Sequence, residues 1–141
     1  MGSMRSPREI LSDALTIAVV GASRDEEKVA HTVPRQLRRY GWRVIPVNPY
    51  AEQIWGEHAY PALAEIPEPI DLVNVFRPSA QAADVVRQAI DIGASAVWLQ
   101  SGIVSPEGRQ LAEKAGIDYV EDCCIAVARA RENLSRRTRE P

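Results

Sequence analysis

The chain has 141 residues, 45% of them hydrophobic, enough to bury one core and too few for two ordinary domains. Seventeen Lys and Arg against 19 Asp and Glu leave a formal net charge of −2, so there is no general attraction to the phosphates of DNA or RNA and any anion site must be local. No apolar stretch nears the roughly 20 residues of a membrane-spanning helix, and no signal peptide is visible. The expectation is a single cytoplasmic domain with neither nucleic acid nor membrane among its partners.

In chain order, residues 1–5 read as a tag remnant or N-terminal extension, because Met1-Gly2-Ser3-Met4 resembles a leftover ahead of a native start. Residues 6–135 are expected to form the domain and 136–141 a flexible polar tail. Ser6-Pro7-Arg8-Glu9 has the form of a capping box and predicts a short helix to about Ala14. The apolar run 16–20 predicts a strand that empties at Gly21-Ala22-Ser23 into a loop, where a helix N-terminus favours an anion. Only one glycine is present. A G-x-G-x-x-G fingerprint would have glycine where Ser23 and Glu26 stand, which argues against ordinary NAD binding.

Val33, Leu37 and Tyr40 then lie at helical spacing, Gly41 ends that helix, and 43–47 is a second β-rich run. The Pro-rich segment 61–69 predicts at most a short helical turn. Residues 71–76 form a third apolar strand. Ser79 is expected to cap a helix through about Ile92 with Ala82, Val85, Val86, Ala89 and Ile90 on one stripe, ended by Gly93. A fourth strand covers 96–99, a helix begins at Ser105-Pro106 and closes at Gly116, and 117–120 is the fifth strand.

Alternating β and α segments with near-continuous apolar strands predict an α/β fold, a three-layer Rossmann-like doubly wound parallel sheet of five strands. The general rule for such folds suggests the strand order 3-2-1-4-5, with a reversal between the first and fourth strands and a ligand crevice at the carboxyl ends. Those ends supply Gly21, Ala22 and Ser23; Val47, Asn48 and Pro49; Val75, Phe76, Arg77 and Pro78; and Gln100, Ser101 and Gly102. The second strand ends in an amide rather than the carboxylate that accepts from a ribose 2′-hydroxyl, so the site tolerates a phosphorylated ribose. Arg24, Lys28 and Arg77 can each contribute a charge-assisted bond to phosphate, unless Arg24 and Lys28 merely pair with Asp25, Glu26 and Glu27.

No catalytic set assembles. His31 and His58 lack an evident orienting carboxylate, Ser23 lacks the elbow of hydrolases, and the three tryptophans read as core or interface. Cys123 and Cys124 are neighbours, a spacing of neither disulfide frameworks nor metal sites, and read as small buried hydrophobes.

Val20-Gly21-Ala22-Ser23, Val44-Ile45-Pro46-Val47-Asn48-Pro49, Val75-Phe76-Arg77 and Val97-Trp98-Leu99-Gln100, in order at consecutive strand ends, resemble the small bacterial and archaeal CoA-binding proteins. These look like a free-standing CoA-binding domain of the succinyl-CoA synthetase α subunit. The resemblance covers roughly residues 8–134. It implies a Rossmann-like domain holding coenzyme A by its 3′-phospho-ADP end, with Gly21 and Ser23 at the pyrophosphate and Lys28 on a phosphate. Asn48, Pro49, Val75 and Arg77 would then flank the adenosine, and Gln100 and Gly102 the far wall. Where the family usually has Ser after the cation stands Ala30, and its frequent Lys and His in the last helix are replaced by Ala126 and Arg129, of which Arg129 could restore the charge. The ligase chemistry of the synthetase belongs to other domains and is not inherited. The leading expectation is a non-catalytic carrier, sensor or subunit that binds coenzyme A or acyl-CoA, its protein partner unidentified. The alternatives are an NADP-binding oxidoreductase-like protein and a CoA-dependent transferase.

Overall fold

The computed structural model describes residues 4–136. Helix α1 (Pro7–Asp13) opens on the expected reciprocal cap, with Glu9 N–H donating to Ser6 Oγ and Ser6 N–H to Glu9 Oε1. Strand β1 (Thr16–Val20) leads to α2 (Val29–Arg39) and β2 (Arg43–Val47). A two-residue-stranded hairpin follows, β3 (Gln53–Ile54) and β4 (Glu57–His58), turning on Trp55 and Gly56, both with positive φ. The Pro-rich segment carries one 3₁₀ turn, Leu63–Glu65. The remainder alternates as expected: β5 (Leu72–Val75), α3 (Ser79–Asp91), β6 (Ala96–Leu99), α4 (Pro106–Ala115), β7 (Asp118–Val120) and α5 (Ile125–Arg131).

The five long strands pair parallel in the order β2-β1-β5-β6-β7. This corrects the expected 3-2-1-4-5, because the third long strand, β5, lies against β1 rather than outside β2. Two local features forbid the expected arrangement. The outer edge of β2 is already taken: Tyr60 N–H donates to Pro46 O and Asn48 N–H to Tyr60 O. On that same edge Pro46 has no N–H to offer a neighbour, which restricts its strand to the border of a sheet. β5, buried along its whole length, is central. The chain therefore reverses direction between β1 and β5.

Helices α1, α2 and α5 cover one face of the sheet, and α3 and α4 the other. Two apolar clusters result, one around Leu11, Leu37, Trp42 and Trp98, the second around Val73, Val86, Val97 and Leu99. Helix α4 begins as expected, with Ser105 Oγ accepting from Gly108 N–H at 2.9 Å. Ser105→Ala is expected to cost about 1 kcal/mol in a urea titration, since this cap is buried. Ser79, by contrast, does not cap α3. Pro78 holds that position, and the Ser79 hydroxyl accepts from Val104 N–H at 3.1 Å because the loop before α4 folds over it.

Arg5 donates from its backbone and Nε to Asp118, at 2.9 and 2.7 Å, tying the N-terminal extension to β7. Arg136 donates through its backbone to Tyr40 O and through Nη1 to Ser12 O. Residues 1–3 of the expected tag remnant and 137–141 of the expected tail lie outside the described residues. Among the described residues, no helix is long and apolar enough to cross a membrane.

Candidate functional site

The reversal between β1 and β5 brings the loops that leave their carboxyl ends together, which is where an open α/β sheet offers a crevice. Gly21 turns there with φ +89°, its N–H donating to Val47 O. A side chain on Gly21 would stand 3.1 Å from Arg77 Cδ and 3.2 Å from the backbone C and O of Phe76. Glycine thus permits both the turn and the close approach of the two loops.

Beside this turn a cavity of about 370 Å³ is lined by Gly21, Val47, Pro49 and Arg77, together with Pro61, Ala62, Gln81, Asp84 and Gln88. Four of the expected site residues therefore converge. Gln81, Asp84 and Gln88 were missed by sequence reasoning, although their spacing of three and then four residues on α3 marks one polar helical face.

The loop that follows Gly21 is organised by the helix it enters. Pro34 inside α2 has no N–H for the carbonyl of Ala30, and Ser23 N–H donates to that carbonyl instead, at 3.2 Å. Ser23 O accepts from His31 Nδ1 at 2.7 Å, and Ser23 Oγ accepts from Asp25 N–H. Glu27 and Lys28 donate their N–H groups to Asp25. The N–H groups of Gly21, Ser23, Asp25, Glu27 and Lys28 are thus used within the protein, and attraction of an anion falls mainly to side chains. Lys28, the residue preceding α2, is exposed.

Asn48 works as a clip. Its Nδ2 donates to Ala22 O at 2.9 Å, and its Oδ1 accepts from Tyr50 and Ala51 N–H. Both oxygen lone pairs are occupied and one N–H remains for a ligand. Val75 is fully buried and Phe76 partly so. Gln100 points into the protein: its Oε1 accepts from Ile125 N–H at 2.9 Å and Asn74 Nδ2 at 3.2 Å. Gly102 donates its N–H to Asp122 Oδ1 at 2.7 Å, which joins the ends of β6 and β7.

Arg24 lines a neighbouring groove of about 440 Å³ with His31, Arg35, Arg38 and Trp55. Among the described residues, Arg24, Lys28 and Arg77 form no ion pair, so the pairing with Asp25, Glu26 and Glu27 does not occur. Arg129 does not supply the missing cation. It stacks 3.6 Å from the centroid of the Tyr40 ring and donates to Leu134 O, at the end of α2 away from the site.

A doubly wound parallel sheet with a glycine turn and unpaired cations at its carboxyl edge defines a Rossmann-like domain. The chain belongs to the CoA-binding domain family, whose model matches residues 15–130. It is 38% identical to the uncharacterised protein YneT of Bacillus subtilis, over 87% of this chain and 91% of that one. A solved structure from Thermus thermophilus, cell-free ID.343, superposes with a TM-score of 0.83 at 44% identity, covering 88% of this chain and 94% of the other. The α subunit of the ADP-forming acetate–CoA ligase II of Pyrococcus furiosus is 28% identical over 84% of this chain, which spans 28% of that subunit.

Proposed function

We propose that this chain binds coenzyme A, free or acylated, through its 3′-phospho-ADP end along the carboxyl edge of the sheet, as a carrier, sensor or subunit rather than as a catalyst. The observation that carries this reading is Arg77, held against the Gly21 turn at the point where the chain reverses and without a carboxylate partner among the described residues. Lys28 and Arg24 supply two further unpaired cations on the adjoining loop, which suits a ligand bearing a pyrophosphate and a separate phosphate. At the end of β2 the Asn48 clip stands where a nicotinamide-binding fold needs a carboxylate. His31, the side chain nearest to serving as a base, uses Nδ1 to hold the loop. The ligase subunit is several times longer than this chain, so its activity is not carried over.

Thermal denaturation with added ligands tests the proposal. Coenzyme A is expected to raise the melting temperature, dephospho-CoA to raise it less and NAD to have little effect. Equal shifts for NAD and coenzyme A would discard the reading, and a shift with NADP matching that of coenzyme A would favour a dehydrogenase-like site. Arg77→Ala and Lys28→Ala are each expected to weaken coenzyme A binding by about 1–3 kcal/mol. Unchanged affinity in both variants would remove these side chains from the site.

A further inference from the structure

We propose that the groove between α2 and the β3–β4 hairpin is a second ligand site, separate from the cavity at the Gly21 turn, that takes a small phosphate monoester. The inference goes beyond the coenzyme reading and does not depend on it.

Helix and turn build the site together. His31, Arg35 and Arg38 follow one another on α2 at the spacing that puts side chains on one helical face. With Gln53, Ile54 and Trp55 of the hairpin they line a groove of about 440 Å³, which shares no lining residue with the Gly21 cavity. Two hydrogen bonds of opposite sense fix its walls: Arg38 Nη1 donates to Trp55 O at 2.7 Å, and Trp55 Nε1 to His31 O at 3.0 Å. Trp55 keeps φ +55°, a conformation that Asn, Asp or Gly usually fills in such a turn, and its ring centroid lies 5.9 Å from that of His31. A hollow held in this way needs little ordering to receive a ligand.

The chemistry of the lining selects that ligand. His31 is only 7% exposed, and its Nδ1 bond to Ser23 O leaves Nε2 with no partner among the described residues. A buried ring nitrogen on the wall of a hollow calls for a polar group. Because a carbonyl faces Nδ1, that nitrogen carries the proton, and Nε2 of the neutral ring is an acceptor. Arg35, one turn further along α2, is exposed and forms no ion pair among the described residues, so its guanidinium is open to bidentate contact. Arg38 adds charge, although Glu57 lies 3.7 Å from it, and the exposed Glu26 also lines the groove. Arg24, a further lining residue, is on the loop already assigned to coenzyme A, and the site stands without it.

A phosphate monoester meets both demands. Its anionic oxygens accept from Arg35, and near neutrality a share of the ester keeps one P–OH, which can donate to Nε2. A sulfate ester offers oxygens without that proton. Ile54 and the Trp55 ring give the organic body of the ester an apolar wall.

The experiment titrates the reduced, ligand-free protein with phenyl phosphate, with phenyl sulfate and phenol as controls, and follows the Trp55 indole N–H and the His31 ring by NMR. Phenyl phosphate is expected to move both signals and to leave the Gly21 amide in place, phenyl sulfate to bind more weakly and phenol to move neither. Arg35→Ala should weaken phenyl phosphate about tenfold or more, Arg35→Lys less, since a hydrogen bond to a charged group is lost in the first and kept in part in the second. Calorimetry should find the affinity for coenzyme A unchanged in Arg35→Ala, and that for phenyl phosphate unchanged by coenzyme A. Unmoved Trp55 and His31 signals in millimolar phenyl phosphate, equal binding of the sulfate, equal shifts with phenol, or displacement by coenzyme A would each overturn the second site. Absence of heat with coenzyme A overturns the earlier reading alone, because the phenyl phosphate titration is independent of it.

Discussion

Gly21→Ala is expected to lower stability by about 1–3 kcal/mol and to weaken coenzyme A binding at the same time. The backbone at this position, φ +89°, is one that an L side chain adopts only under strain. The added methyl would also press on three atoms. Arg77 Cδ, at 3.1 Å, belongs to a flexible side chain and can move, whereas the Phe76 carbonyl group, at 3.2 Å, is backbone fixed by Phe76 N–H donating to Val20 O. Relief therefore comes by displacing Arg77, the cation proposed to meet a phosphate. Urea denaturation and calorimetry on the same variant measure the two effects. Unchanged values in both would show that the loops do not meet at this turn.

A second large effect is expected from Gln100→Ala, this time on stability with little change in the affinity of the folded protein. Its Oε1 accepts from two buried donors, Ile125 N–H at the start of α5 and Asn74 Nδ2 in the central strand. Truncation strands the Ile125 N–H and leaves Asn74 Nδ2 with Trp98 O as its remaining acceptor, at about 1–3 kcal/mol in total, since an unsatisfied buried donor costs its desolvation. Asn74 Oδ1 already lacks a protein partner in this interior, so Asn74 offers no alternative arrangement that satisfies every group. A lowered urea midpoint with near-normal coenzyme A affinity is the expected outcome. The reverse pattern, normal stability with binding lost, would place the Gln100 side chain in the ligand site.

Gln100 also shows where reading a sequence stops. As the residue after a strand it was placed correctly at the carboxyl edge, but a position at the edge does not say which way the side chain points. The nearness of the α5 N-terminus, 25 residues further on, turned it inward. Asn48 was likewise placed correctly and is largely engaged by Ala22, Tyr50 and Ala51. Arg24 and Arg77, which follow different strands, were both expected within or beside one site, yet they line separate hollows. The strand order was the clearest miss. Pro46 carried a usable signal, since a missing N–H suits a border strand, but a general rule of the fold class was followed in its place.

The succession of apolar runs, the Ser6–Glu9 and Ser105–Gly108 caps, the glycine handovers and the strand-end motifs of the family are all local patterns, and by itself the sequence determined the five long strands with the helices between them, the α/β class and which residues stand at the carboxyl edge, but not the β3–β4 hairpin. Only the tertiary structure decided that β5 lies beside β1, that Pro34 leaves the Ala30 carbonyl to Ser23, and that the cysteine pair shares an apolar cluster with Ala22. The physical reason is the range of the interactions. Helix periodicity, capping and turn preference act within a few residues, whereas strand pairing and side-chain direction are settled by competition among distant partners for the same hydrogen-bonding edge and the same buried space.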